Sequence, residues 1–160
     1  MSDSLQEILK MCQRHADRLT WSIAYLSKHF PLSASTLDCF DDTALAVLDQ
    51  FSTRFSKLQD FMGAKLFPAV LELTKEQGSL NAFLDKLYRL EKIGALPSAE
   101  QWLKLREIRN AFSHDYPEDA ELQAETLNKA MILVNDLLAI LVEINKFIEP
   151  YILNKLGSGQ

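Results

Sequence analysis

The sequence predicts an all-α protein, an up-and-down bundle of four to five long helices. Apolar residues recur at three- and four-residue steps along most of the chain, which is the spacing of one face of an α-helix. Glycine and proline number only five each, and the short alternating runs that are typical of strands are almost absent. Short connections between long amphipathic helices favour antiparallel neighbours, and hence the up-and-down arrangement.

Length and composition indicate one helical domain over residues 1–156, followed by a flexible tail over 157–160. The 160 residues are 48% apolar and 24% charged, which suits one core of ordinary size. There are two cysteines, no apolar signal core at the N-terminus, and no apolar run near the roughly 20 residues that span a bilayer. We therefore expect a soluble, cytoplasmic protein with no membrane association.

The first predicted helix covers about 4–29, with Ser2 or Ser4 as its cap, and a connection over 31–42 follows it. The second predicted helix runs from about 43 to a stop at Gly78, with a kink or break at Pro68 because proline lacks an N–H. Its apolar stripe is Leu45, Leu48, Phe51, Phe55, Leu58, Met62 and Leu66.

Three further helices complete the predicted bundle. The third begins at a Ser79 cap and ends near Gly94, and the fourth begins at Ser98, which has capping-box spacing to Gln101. The last begins within 117–119 and ends at Glu149, before Pro150.

The most chemically suggestive segment is Arg109-Asn110-Ala111-Phe112-Ser113-His114-Asp115-Tyr116-Pro117, at the end of the fourth predicted helix. In an ideal helix, positions 109 and 114 lie about 140° apart and cannot face one small substrate. Pro117 keeps Tyr116 out of the helical region, so the helix must end near His114 or Asp115. A frayed or tightened last turn would then let the His114 side chain approach Arg109.

These residues are the parts of a metal-independent ribonuclease. Histidine can take a proton from a ribose 2′-hydroxyl, and arginine can grip a phosphate and stabilise the charge that develops on it. Asn110 can orient the histidine or the phosphate. No carboxylate cluster suggests a metal site, and no cofactor is expected. The net charge of −5 disfavours coating of nucleic acid, but it permits a local site for one phosphate.

A structural interpretation of the same residues is also open. Arg109 would pair with a surface carboxylate, and His114 would cap the C-terminus of the helix, where a cation is favourable. By spacing alone, an arginine and a histidine five positions apart are common in helical proteins.

Arg109-Asn110-x-x-x-His114 resembles the signature of the HEPN superfamily, in which a polar residue follows the arginine and a histidine comes four to six residues after it. Tyr116 extends the match to the Arg-x4-His-x-Tyr form of HepT-type toxins. The preceding run over 90–97, with Trp102, Leu105 and Ile108, is also similar to that group. The resemblance is strongest over 85–117, and it implies a HEPN-like helical bundle. This chain is longer than short HepT proteins.

The resemblance implies the toxin component of a toxin–antitoxin pair, a homodimer that cleaves RNA, with Arg109 and His114 as catalytic residues. Its implied partner is a minimal nucleotidyltransferase antitoxin, which would attach adenylyl groups to Tyr116. A related branch of similar bundles implies the alternative: a non-catalytic binding partner of such a nucleotidyltransferase, either its substrate-binding subunit or an antitoxin component.

Other residues support only weaker interpretations. Cys12 and His15 have C-x-x-H spacing, but a zinc site needs about four ligands, and Cys39 and His29 are not arranged to complete one. The charged residues Arg54, Lys57 and Asp60 predict a solvated helix face with i, i+3 pairing, or else support for the site. Trp21 and Tyr25 fit either the core or an interface.

Overall fold

The computed structural model describes residues 2–76, 82–113 and 119–158, and every regular element in these ranges is helical. The predicted all-α helical bundle is therefore confirmed. The elements are α1 (Ser2–Leu26), α2 (Ala34–Asp38), α3 (Asp42–Phe61), α4 (Phe67–Leu73), α5 (Phe83–Lys92), α6 (Ala99–Phe112) and α7 (Ala120–Ser158).

Short polar side chains start several of these helices by accepting hydrogen bonds from backbone N–H groups that have no partner inside the helix. Asp41 caps α3 and Ser98 caps α6, the latter through an N–H donated by Gln101 at 3.1 Å. Asp119 accepts from the N–H of Leu122 at 2.9 Å at the start of α7. The predicted starts of the fourth and last helices are therefore confirmed.

The predicted Ser79 cap is wrong. Helix α5 begins at Phe83, and Ala82 before it is extended, with φ −84° and ψ 144°. An extended residue interrupts helical hydrogen bonding, so a cap three residues earlier cannot serve this helix. Ser79 itself lies outside the described residues, as does Gly78. The predicted end of the second helix at Gly78 is also wrong, because α4 ends at Leu73 and Lys75 has a positive φ of 58°.

The connection after α1 holds more structure than the sequence indicates. A 3-10 turn over Ser27–His29 extends α1, and α2 follows, with a reciprocal capping box between Ser33 and Thr36. Helix α2 has only five residues, too few for an apolar period to reveal it. The Asn128 side chain of α7 binds both the N–H and the carbonyl of Leu32, at 2.7 and 2.9 Å, and so ties the connection to the bundle.

The predicted break near Pro68 takes the form of a π-helical turn over Met62–Leu66, between α3 and α4. The N–H of Phe67 donates to the carbonyl of Met62, five residues back, and Pro68 then lies in the first turn of α4. Proline is tolerated at that position because its fixed φ suits the first turn of a helical segment, and the π turn has already shifted the hydrogen-bond register there. The π turn thus joins α3 to α4 by helical backbone and places the proline in the first turn of α4.

The predicted end of the last helix at Glu149 is wrong, because α7 continues through Pro150 to Ser158. Pro150 is exposed, and its missing N–H removes one helical hydrogen bond. Side chains on both sides of it hold the helix in place: Ile148 is buried, and the Phe147 and Tyr151 rings lie 5.6 Å apart. The helix includes Gly157 and Ser158 of the predicted tail, and residues 159–160 lie outside the described ranges.

One connected apolar core runs from α1 to α7. At its centre the fully buried Trp102 ring lies 4.5 Å from the ring of Phe67. The predicted stripe of the second helix is buried except at Leu45, which is 42% exposed. The Phe112 ring meets Phe55 edge-on at 5.5 Å. This contact holds the C-terminal end of α6 against the middle of α3, and it sets the position of the candidate site.

Candidate functional site

The C-terminal turn of α6 carries Arg109 and Asn110 at the surface of the bundle. The helix ends at Phe112, and Ser113 takes the C-cap position, close to the predicted end. The N–H and hydroxyl of Ser113 both donate to the carbonyl of Asn110, at 3.1 and 2.7 Å. These bonds satisfy a carbonyl in the last turn of the helix, where carbonyls lack a partner inside the helix. The Asn110 residue is exposed.

Arg109 forms a bidentate ion pair with Asp60 of α3. Its Nε donates to Oδ1 at 2.6 Å, and its Nη2 donates to Oδ2 at 2.8 Å. The two side chains are 31% and 48% exposed. Hydrogen bonding to Asp60 raises the pKa of Arg109, so the guanidinium is permanently charged. This pairing is the surface-carboxylate contact of the structural interpretation, here made across two helices.

The ion pair orients the guanidinium without using all of its donors. A guanidinium has five N–H bonds in one plane, and Asp60 takes two of them along the Nε–Nη2 edge. The other edge, formed by Nη1 and Nη2, has no partner among the described residues. That edge keeps the fork geometry that matches two oxygens of a phosphate. Asp60 can therefore fix the direction of Arg109 and leave it able to bind an anion.

The remaining motif residues, His114 and Tyr116, lie outside the described residues. The approach of the His114 side chain to Arg109 therefore stays a prediction. Of the four predicted site residues, the structure places Arg109 and Asn110 together at the end of α6, and it adds Asp60 beside them.

Asp60 was assigned by sequence to a solvated face that it would share with Lys57 and Arg54. The structure pairs it with Arg109, 49 positions away, and Lys57 is not its ion-pair partner. No local pattern could reveal this, because the pair forms only when α3 and α6 pack together. Asp60 is exposed, as the predicted solvated face requires, but its ion-pair partner lies on another helix and not at i, i+3. Support of the site stays a prediction.

A cluster of cations, Arg54 and Lys57 of α3 and Arg14 of α1, lies near His15 of α1. Arg54 contacts the buried His15, with Nη1 2.9 Å from Nδ1 of the imidazole. Burial, and after it the charges of Arg54, Lys57 and Arg14, lower the pKa of His15. The neutral imidazole can accept a hydrogen bond at Nδ1, so the arginine is the donor and the histidine serves as a structural acceptor.

The C-x-x-H pair does not form a metal site in the structure. Burial raises the pKa of the Cys12 thiol to about 12, so the thiolate that binds metals is strongly disfavoured. His15 uses Nδ1 for Arg54. Within 2–76, 82–113 and 119–158, no group of three or more His, Cys, Asp or Glu side chains could hold a metal ion.

Comparison with known proteins identifies no relative. No family model, curated protein or solved structure matches this chain. In the described part of the chain, no helix combines the length and the apolar character needed to cross a membrane. Arguments about function therefore depend on the residues at the end of α6 and on the surface around them.

Proposed function

We propose that the chain is a metal-independent ribonuclease of the HEPN toxin type, in which Arg109 binds phosphate and His114 transfers protons. The observation that carries the proposal is the Arg109 guanidinium, which is partly exposed, oriented by Asp60, and left with a second donor edge. The all-helical fold and the Arg-x4-His-x-Tyr spacing also support it.

The proposed reaction is an internal transfer at one phosphate of RNA. The ribose 2′-oxygen attacks the phosphorus while His114 takes its proton, and the bond to the 5′-oxygen of the next nucleotide breaks. That oxygen takes up a proton, either from the imidazolium of His114 or from water that His114 then reprotonates, and the product is a 2′,3′-cyclic phosphate. Arg109 stabilises the charge on the non-bridging oxygens during the attack. DNA lacks the 2′-hydroxyl and is not cleaved.

The test is RNA digestion by single variants. His114→Ala and Arg109→Ala are each expected to lose roughly 10²- to 10⁴-fold in rate, the range for loss of a proton-transfer or charge-stabilising group. A chelator is expected to leave the rate unchanged, and the products are expected to carry cyclic phosphate. The matched control is Arg89→Ala, which breaks another ion pair, that with Glu76 at 2.8 Å, away from the motif. Folded His114→Ala protein that cleaves at the parent rate would contradict the assignment.

One observation favours the alternative, a non-catalytic partner of a minimal nucleotidyltransferase. Asp60 neutralises Arg109, as in an ordinary surface ion pair. The experiment is co-expression with a nucleotidyltransferase encoded beside the chain, followed by mass spectrometry of Tyr116 and RNA digestion. Adenylylated Tyr116 together with RNA cleavage by the unmodified chain supports the toxin. Complex formation without any cleavage supports the non-catalytic partner.

A further inference from the structure

Helices α1 and α3 pack antiparallel and expose one continuous face along their seam. Gln50 of α3 donates to the hydroxyl of Ser22 at 2.9 Å, and four residues farther along α3, Arg54 meets His15 of α1. Increasing residue number on one helix therefore corresponds to decreasing number on the other. Six residues on the outer side of this seam are called the α1–α3 strip: Arg14, Arg18, Trp21, Tyr25, Arg54 and Lys57.

The cations of the α1–α3 strip have no carboxylate partner. In the described ranges, ion pairs involve Arg89, Arg109 and Lys146, and none involves Arg14, Arg54 or Lys57. Residues 14–28 and 50–60 together carry five Lys or Arg against two Asp. One of those carboxylates, Asp60, is neutralised by Arg109, and the other, Asp17, accepts a hydrogen bond from Gln13. A protein of net charge −5 thus concentrates unpaired positive charge on this face.

The aromatic residues of the strip form a stacked pair at the surface. The Trp21 and Tyr25 rings are 5.8 Å apart and inclined by 27°, and Trp21 is 47% exposed. The Arg18 guanidinium lies 5.2 Å from the Trp21 ring, and the Lys28 ammonium lies 5.7 Å from the Tyr25 ring. The sequence predicted that Trp21 and Tyr25 lie either in the core or at an interface. Because Trp21 is exposed, its ring is not part of the core.

We propose that the α1–α3 strip binds single-stranded RNA, with phosphates on Arg14, Arg54 and Lys57 and a base stacked at Trp21. This inference rests on the proposed function for the identity of the nucleic acid. Unpaired cations that follow a line, combined with exposed aromatic rings, are the two components with which proteins bind single strands without reading their sequence. An acidic protein segment would meet the same charges, but it could stack on the Trp21 ring only where it happens to carry an aromatic side chain, whereas every nucleotide of a strand carries a flat base.

The contact between Arg18 and Trp21 does not prevent stacking. A cation–π contact at an exposed site contributes only about 0.5–1 kcal/mol, whereas a base stacked on an aromatic side chain contributes about 1–3 kcal/mol. A base can therefore replace the guanidinium on the Trp21 ring. The displaced Arg18 keeps its charge and can pair with the phosphate of the same nucleotide.

The strip leads toward the candidate site. Trp21 and His15 are six residues apart on α1, and Arg54 and Asp60 are six residues apart on α3. Each step spans about 9 Å at 1.5 Å per residue. Because the helices are antiparallel and His15 contacts Arg54, the two steps add to about 18 Å. A strand held at Trp21 can thus reach Arg109, which is bonded to Asp60.

The experiment measures binding of a fluorescein-labelled single-stranded RNA by anisotropy, in a His114→Ala background so that cleavage plays no part. Trp21→Ala is expected to weaken binding by roughly 5- to 150-fold. Lys57→Gln and Arg14→Gln are each expected to lower the slope of log affinity against log salt by about 0.7. Bound RNA is also expected to quench the emission of Trp21, while emission of the other tryptophan, the buried Trp102, persists.

The matched controls carry the same changes elsewhere on the surface. Tyr88→Ala removes an aromatic ring that is 56% exposed on α5, and Lys146→Gln removes an exposed charge on α7. Both are expected to bind RNA like the parent. Binding by Trp21→Ala within twofold of the parent, or RNA binding without tryptophan quenching, would overturn the proposal. Loss of binding in strip variants supports the strip even if the chain never cleaves RNA, so this result is separate from the nuclease test.

Discussion

At the scale of single residues, the contact between Arg109 and Asp60 decides how the motif can act. The sequence singles out Arg109 by its spacing to His114, but it gives no reason to join it to a residue 49 positions earlier. In the folded chain Asp60 takes one edge of the guanidinium and leaves the other for a ligand. A fixed direction favours a single geometry for a ligand on Arg109, and a second helix supplies that constraint.

The two cysteines provide a prediction at the same scale, because their surroundings differ. Cys12 is fully buried and its thiol pKa is raised to about 12, whereas Cys39 is exposed. In the folded protein a reagent can reach Cys39 but not Cys12, and the raised pKa of Cys12 further disfavours the thiolate that would react there. We therefore expect iodoacetamide to label one thiol in the folded protein and two after denaturation, as counted by mass spectrometry. Rapid labelling of both thiols in the folded protein would contradict the buried position of Cys12.

At the scale of helices, the π turn between α3 and α4 contains Gly63. A Cβ atom built at this position would lie 3.6 Å from Cζ2 of Trp102 and 3.7 Å from Cε2 of Phe83, which is ordinary van der Waals contact. A methyl group therefore fits, whereas a larger side chain would meet two aromatic rings. Gly94, after α5, is different: it has open space around it but a φ of +87°, which favours glycine.

The same substitution at these two glycines is expected to have opposite effects. Gly63→Ala should raise the free energy of unfolding by about 0.5–1 kcal/mol, because alanine loses less backbone entropy in a helix. Gly94→Ala should lower it by about 1–2 kcal/mol, because a Cβ is strained at positive φ. Urea unfolding of both variants measures the difference. A stabilised Gly94→Ala protein, or a strongly destabilised Gly63→Ala protein, would contradict the local geometry.

At the scale of the whole molecule, charge and apolar surface are unevenly distributed. The net charge is −5, yet the α1–α3 strip carries four cations, Arg14, Arg18, Arg54 and Lys57, that have no carboxylate partner in the described part of the chain. Large apolar side chains are exposed elsewhere, on α7 at Ile132 and Val142, 74% and 51% exposed. The α1–α3 strip can therefore bind an anionic ligand, while the exposed apolar side chains of α7 can bind another apolar surface.

The proposed function predicts a homodimer with two-fold symmetry, in keeping with the resemblance and with the symmetry that is commonest among homo-oligomers. One chain has a mass of 18.2 kDa, so sedimentation equilibrium at micromolar concentration is expected to give twice that value. A mass of one chain across the concentration range would count against the shared cleft that the HEPN resemblance implies. The contact between Arg109 and Asp60 lies within one chain, so it does not depend on the outcome of this measurement.

The sequence by itself determined the helical class, the starts at Ser98 and Asp119, the interruption near Pro68 and most of the buried stripe. These features depend on period and on local hydrogen bonds, which neighbouring residues fix. Only the tertiary structure decided the pairing of Asp60 with Arg109, the burial of His15 against Arg54, and the passage of α7 through Pro150. Each of these depends on packing between helices, which outweighs local preference and leaves no trace in the spacing of nearby residues.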